Sequence, residues 1–265
     1  MTLKTAVIQF GAGKDKERNL RRAASLVETA ARAGAKFILL PELFVYRGRG
    51  SLPELQAASE TVPGPTTKTF AKLARKHRTF ILLGSLYEKS RGRKVYNTSV
   101  LLNPQGRVQA KYRKIHLFDA DIGRHALRES QRFLKGKRPV LTKVGPFKVG
   151  LSVCFDLRFP ELYAYYARKG ADILVVPSAF THKTGQAHWE ILVRARAVEN
   201  QCYVCAPNQF GKDGRGVTSY GHSLIVHPWG DVLAEAPGAR TKIMYATLKR
   251  QEIQRARKTV FMGRS

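Results

Sequence analysis

Val149-Gly-Leu-Ser-Val-Cys-Phe-Asp-Leu-Arg-Phe-Pro-Glu-Leu-Tyr-Ala-Tyr-Tyr-Ala-Arg-Lys-Gly-Ala-Asp-Ile-Leu-Val-Val176 is the segment on which the reading of the fold turns. An apolar run over 147–153 reads as a strand, 160–169 as a helix, and 172–176 as a second buried strand. The pattern continues downstream with a helix over 186–200 and a strand over 202–206. Strands over 220–226, 231–235 and 242–247 follow, separated by Pro228-Trp229-Gly230 and Pro237-Gly238.

Upstream the logic is the same. Leu3 to Phe10 reads as a strand. Residues 15–33 read as a helix, with Leu20, Ala23, Ala24, Val27 and Ala31 at three- and four-residue spacing and Gly34 as its stop. Strands over 37–40, 80–84, 95–102 and 108–112 and a helix over 66–77 complete the half, with Asn103-Pro104-Gln105-Gly106 as a hairpin turn. Helices interspersed with mixed strands imply an α/β protein of layered sheets covered by helices. No linker, composition break or internal repeat interrupts it, so residues 1–265 read as one domain.

Composition excludes several classes. With 43% apolar and 9% aromatic residues the chain can bury a sizeable core, which argues against disorder. No apolar run reaches the roughly 18 to 20 residues that span a bilayer, and the opening MTLKTAVIQF lacks the parts of a signal peptide. The expectation is a soluble, cytoplasmic protein without a membrane partner. Cys154, Cys202 and Cys205 are an odd number and cannot form a fully paired framework. Cys202 and Cys205 lack a second pair or nearby histidines at zinc spacing, so they read as buried thiols on an apolar strand, and no metal is expected.

Forty-seven Lys and Arg against 19 Asp and Glu give a formal charge of +28. Such a charge attracts nucleic acid or another polyanion non-specifically. The basic residues are nevertheless scattered along the chain, without an RNA-recognition or zinc-finger signature. Two origins fit: a supercharged variant whose freely variable surface acids were replaced by Lys and Arg, or a naturally basic enzyme.

Three apolar runs end in polar residues. Phe37-Ile-Leu-Leu40 leads to Glu42, Val149 to Val153 leads to Cys154, and Ile173-Leu-Val-Val176 leads to Ser178, while Lys114 follows the strand that ends at Tyr112. Buried strands in α/β proteins bring their carboxyl ends around one crevice, so Glu42, Lys114 and Cys154 are candidates for a shared pocket. A carboxylate can take the proton of a thiol, and an ammonium can stabilise the charge that develops on an attacked carbonyl. By residue habit alone each has a plainer role, which leads at this stage: Cys154 as a small buried hydrophobe, Lys114 as a solvated base, Glu42 as a cap.

The blocks Pro41-Glu42-Leu43, Tyr112-Arg-Lys114-Ile-His116-Leu117 and Ser152-Val-Cys154-Phe-Asp156-Leu-Arg158-Phe-Pro160-Glu161 resemble, in order and spacing, the signatures of the nitrilase superfamily of carbon-nitrogen hydrolases. The likeness continues through Pro177-Ser-Ala-Phe180, Thr184-Gly-Gln-Ala-His-Trp-Glu190, Arg194 to Gln201, and Ser219-Tyr-Gly-His-Ser223 with His227-Pro-Trp-Gly230, covering residues 3 to about 250. The resemblance implies an αββα sandwich that pairs into an αββααββα dimer through the segments around 160–169 and 186–200. It implies Glu42 as general base, Cys154 as nucleophile, and Lys114 with the Phe155 backbone N–H as oxyanion stabilisers. Glu129 would orient the lysine and the substrate. No cofactor is implied.

The branch it looks most like is that of omega-amidases and deaminated glutathione amidases, with a terminal carboxamide on a small omega-amido acid as substrate. Tyr46, Arg158 and Phe180 are the expected substrate contacts, although an ion pair of Arg158 with Asp156 or Glu161 reads as well. Trp189 and Trp229 read as packing residues, and His116, His188 and His222 as hydrogen-bonded framework. Nitrile or carbamoyl hydrolysis, and polyanion or RNA binding on the same scaffold with reduced catalysis, are the alternatives. The chain departs from the family pattern in Phe133-Leu-Lys-Gly-Lys-Arg138, which replaces a common Pro-Gly-Asp turn, in the basic stretch 123–128 and in the short basic tail 255–265. These touch the pocket rim and the dimer contact.

Overall fold

The computed structural model describes residues 1–122 and 125–261; Gly123 and Arg124 of the basic stretch, and the last four residues of the basic tail, lie outside the described residues. The first half builds β1 (Thr2–Gln9), α1 (Lys16–Arg32), β2 (Phe37–Leu39), α2 (Leu52–Ala58), α3 (Pro65–His77), β3 (Phe80–Glu88), β4 (Tyr96–Leu102) and β5 (Val108–Arg113). A hairpin of β6 (Asp119–Ile122) and β7 (His125–Arg128) precedes β8 (Val140–Val144), β9 (Phe147–Leu151), α4 (Pro160–Arg168), β10 (Ile173–Val175) and α5 (His182–Asn200). The chain continues through β11 (Tyr203–Ala206), β12 (Phe210–Lys212), β13 (Thr218–Tyr220), β14 (Leu224–Val226), β15 (Val232–Glu235), β16 (Lys242–Lys249) and α6 (Arg250–Thr259).

Two six-stranded sheets result, in the orders β16-β1-β2-β3-β4-β5 and β15-β14-β11-β10-β9-β8. The centre of each is parallel, β1-β2-β3 and β9-β10-β11, and antiparallel strands flank it. Period-two alternation assigns the faces. Leu3 and Val7 of β1, with Phe37 and Leu39 of β2, pack toward the second sheet's Val149, Leu151, Ile173 and Val175. Ala6, Ile8, Ile38, Ile81 and Leu83 turn the other way, under Ala23 and Val27 of α1 and Phe70 of α3. On the far side Tyr163 and Tyr166 of α4 and Trp189, Val193 and Ala197 of α5 join the core of the second sheet. A Cβ at Gly150 would lie 2.7 Å from the Tyr166 ring, so glycine lets that ring rest on the sheet. The layers are thus helix, sheet, sheet, helix, the αββα sandwich of the nitrilase superfamily.

Local signals explain most element ends. Asp15 caps α1 by accepting from Arg18 N at 2.9 Å. The Asn103 to Gly106 turn closes β4 and β5 with Gly106 at φ 72°. Two sequence expectations change. The strand expected over 220–226 is broken, because Gly221 and His222 have φ of 76° and 50° and divide it into β13 and β14. The helix expected from 186 begins a turn earlier, where Thr181 caps it. No helix among the described residues is long and apolar enough to cross a membrane.

Candidate active site

Glu42 follows β2 at the carboxyl edge of the first sheet. Its backbone is held by Gln209 Nε2, which donates to the Glu42 carbonyl at 2.8 Å, and by Ser85 Oγ, which accepts from Leu43 N at 2.9 Å. Leu43 sits in the left-handed region at φ 50°. The chain passes so close to β3 that a Cβ on Gly84 would lie 2.0 Å from the Leu40 carbonyl oxygen. The buried Glu42 carboxylate accepts from Asn97 Nδ2 at 2.8 Å and from Lys114 Nζ at 3.1 Å, both on Oε1.

Lys114 leaves β5 with its N–H on the Asn97 carbonyl and its own carbonyl on Gly136 N. Only 1% of it is exposed. Its ammonium also meets Glu129 Oε1 and Oε2 at 3.1 and 2.9 Å, and Glu129 Oε2 accepts from Phe118 N at 2.8 Å. Burial alone would lower the lysine pKa, but Glu129, Glu42 and the Cys154 sulfur carry it well above the ordinary range. For Glu129 burial wins over Lys114, and its pKa is raised.

Cys154 begins the short 3-10 turn Cys154–Arg158 directly beyond β9. Its N–H donates to the Pro177 carbonyl at 2.9 Å, and its φ is +50°. A non-glycine residue held there carries strain of order 1 kcal/mol and clusters at functional sites. Burial and the neighbouring Glu42 push the thiol pKa well up, against the pull of Lys114 and the Ala179 backbone N–H. Cys154 thus stands as a thiol beside the Glu42 carboxyl group, and a thiol so placed needs proton transfer before it can attack a carbonyl.

Asp156 ties these pieces together. Fully buried, it accepts from Tyr112 OH at 2.7 Å, Val153 N at 2.8 Å and His116 N at 3.0 Å, and lies 2.8 Å from His116 Nδ1. The strand carrying Lys114 and the turn carrying Cys154 thus share one carboxylate.

One cleft of about 810 Å³, counting its open mouth, is lined by Glu42, Glu129 and Cys154 together with Phe155, Arg158 and Phe180. The Arg158 guanidinium lies 5.4 Å from the Phe180 ring, and Nη2 meets His188 Nδ1 at 3.2 Å; it pairs with neither Asp156 nor Glu161. Tyr46 is not among the lining residues, since its hydroxyl turns to Glu54 Oε1 at 2.9 Å. Trp189 is buried as expected, but Trp229 is 52% exposed and does not serve the core.

Sequence reasoning missed Asn97, which stands beside Thr98 and Ser99 in β4 and carried no signal of its own. It also missed Arg47, Arg132, Asp213 and Arg215, which line the cleft from loops without periodic pattern. A further basic groove, with Lys68, Lys72, Arg75 and Arg107, runs beside α3. Among the described residues no cluster of three or more His, Cys, Asp or Glu has the arrangement of a metal centre.

Comparison with known proteins agrees with this geometry. The carbon-nitrogen hydrolase family model matches residues 4–258. The chain is 42% identical over 262 residues to human deaminated glutathione amidase, covering 94% of this chain and 79% of that protein. It is 38% identical over 261 residues to human omega-amidase, covering 98% and 93%. The crystal structure of Saccharomyces cerevisiae Nit3, a member of the nitrilase superfamily, superposes with TM-score 0.88 at 35% identity over 98% of this chain and 95% of that one. The C. elegans NitFhit protein superposes with TM-score 0.90 at 35% identity over 97% of this chain, which spans 63% of that longer one. By family model, sequence and fold, the chain belongs to the carbon-nitrogen hydrolase family and stands within it among the amidases.

Proposed function

We propose that the protein is a cysteine-dependent amidase that hydrolyses the terminal carboxamide of a small omega-amido acid to a carboxylate and ammonia. The observation that carries this reading is that Glu42, Glu129 and Cys154 line one cleft while the buried Lys114, itself not among the lining residues, pairs with both carboxylates. The names of the relatives support the substrate class.

In the first half-reaction Cys154 Sγ attacks the amide carbon while Glu42 takes the thiol proton. Lys114, kept charged by its two carboxylates, and the Phe155 backbone N–H stabilise the oxyanion. Collapse breaks the C–N bond, Glu42 returns the proton to the departing ammonia, and a thioester remains. Water then gives a proton to Glu42 and its oxygen to the thioester carbon, and the thiol leaves with that proton. Glu129 acts through Lys114 as a positioning group. Arg158, near Phe180 and the nucleophile, takes the substrate carboxylate.

The proposed assembly is a dimer across α4 and α5, supported by exposed Tyr165, Ile191 and Val198 on those helices. Ammonia release from a panel of short omega-amido acids and a simple nitrile, with Cys154→Ala alongside, tests the activity. Release confined to the amides and abolished by Cys154→Ala is expected; turnover of the nitrile alone, or release retained by the variant, contradicts the reading.

A further inference from the structure

The cleft holds more positive charge than the proposed chemistry uses. Glu42 and Glu129 are answered by Lys114, and Arg158 stands near the nucleophile. What remains is Asp213 with three arginines. Arg47 is buried and spends its guanidinium on Asp213 Oδ2 at 3.1 Å and Ser219 Oγ at 2.9 Å. Arg215 places Nε and Nη2 on the same Asp213 oxygen at 3.0 and 2.7 Å. Among the described residues Arg132 donates hydrogen bonds only to carbonyls, those of Arg128 at 3.3 Å and Gly50 at 3.0 Å.

Asp213 takes hydrogen bonds from Arg47 and Arg215 but none from Arg132, and Glu42, Glu129 and Asp213 against Lys114, Arg47, Arg132, Arg158 and Arg215 leave the site a formal excess of two positive charges. The Arg47–Asp213 pair has a plain structural use: with Gly214 N on the Arg47 carbonyl at 3.0 Å, it fastens the β12–β13 hairpin to the loop after β2. That use does not account for Arg132. Arg132 and Arg215 converge across Gly50, where a Cβ would lie 3.0 Å from Arg132 Nη1 and 3.3 Å from Arg215 Cδ. Arg132 Nη2 and Arg215 Nη1 keep donors that no acceptor among the described residues takes. Burial, with Arg215 beside it, lowers the Arg132 pKa against the pull of Glu129, while Asp213 raises that of Arg215 despite its burial. Two like charges held together in a half-buried wall cost free energy that a bound anion would offset.

We infer that Arg132 and Arg215, meeting across Gly50, form a second anion subsite that takes a carboxylate of the substrate remote from the one at Arg158. The inference rests on the amidase reading and deepens it: the preferred substrate is an amide with two carboxylates. The second carboxylate is carried by the acid half, because the amine half of a terminal carboxamide leaves as ammonia.

The test uses the full-length protein and separates binding from turnover. Short straight-chain dicarboxylic acids, and monocarboxylic acids of equal length, are titrated calorimetrically into the wild type, Arg132→Gln, Arg132→Lys and Arg215→Lys at one ionic strength. The expected wild-type preference for the dicarboxylate is about tenfold or more, the scale of a charge-assisted hydrogen bond. Arg132→Gln should remove most of that preference, and Arg132→Lys should retain part of it. A wild type that binds both series alike overturns the subsite whether or not amides are hydrolysed. Preference without any amide turnover would instead sink the amidase reading and leave the subsite standing. In kinetics, the ratio of kcat/KM for dicarboxylate over monocarboxylate amides should fall about tenfold in Arg132→Gln. An unchanged ratio refutes the proposal.

Discussion

Replacing Asp156 by Asn probes how the site is held without touching the proposed reacting groups. Each oxygen of the buried carboxylate faces two partners: Oδ1 faces His116 N and His116 Nδ1, and Oδ2 faces Val153 N and Tyr112 OH. An amide must turn its NH2 toward one of these pairs. Tyr112 OH can rotate to accept, and the His116 ring can change tautomer, but a backbone N–H cannot. Either orientation therefore strands one backbone donor, at about 1–3 kcal/mol, and weakens the remaining bonds by removing their charge assistance. The expected loss in denaturant unfolding is about 2–4 kcal/mol, with an unchanged m-value. Val153 precedes the nucleophile and His116 lies two residues beyond Lys114, so the loosened tie separates these groups in the transition state. The expected kinetic result is a fall in kcat of about tenfold or more with KM little changed. Stability and kcat both within experimental error of wild type would refute the reasoning.

Other outcomes follow from the same geometry. At Glu88, burial opposes ionisation, but hydrogen bonds from Arg113, Lys111 and Thr98 hold the carboxyl pKa down to about 2. A folded-state pKa below the unfolded one gives stability that is present above the unfolded value of 4.5 and lost as pH falls toward about 2. Thermal melts of Glu88→Gln and wild type should therefore differ near neutrality and converge in acid; a constant gap contradicts the pairing. Cys202 and Cys205 are wholly buried while Cys154 opens on the cleft, so a thiol reagent should label Cys154 alone in native protein and all three on unfolding. Rapid labelling of all three in the native state would contradict this. Ile191→Asp, at a side chain 69% exposed on α5, should shift the assembly to a smaller species in sedimentation; no shift removes that helix from the contact.

The pattern showed only that Glu42, Lys114 and Cys154 each follow a strand, after 37–40, 108–112 and 147–153, and it was the family resemblance that singled them out. What the pattern could not show was distance in space. Asp213 and Arg47 are 166 positions apart in sequence, and their loops carry no periodicity to announce a meeting. The β6–β7 hairpin escapes because its strands are four residues each. α6 escapes because Ile253 and Ala256 alone are buried among ten residues, too thin a stripe to read as a helix face. α2 carried a legible capping box, Ser51 with Glu54, yet only Leu55 of its seven residues is buried. Arg158 was ambiguous because both acids offered as partners lie within three residues. In the fold Asp156 is saturated by Tyr112, Val153 and His116, and Arg158 lines the cleft without pairing to either acid.

The central claim is that Cys154 carries the acyl group. Intact-mass analysis of enzyme quenched during turnover of an omega-amido acid, followed by peptide mapping, tests it most directly. The account predicts a hydroxylamine-sensitive adduct of the acyl mass on the Cys154 peptide, absent in Cys154→Ala together with ammonia release. Full turnover by Cys154→Ala, or an adduct mapped to another residue, would contradict it.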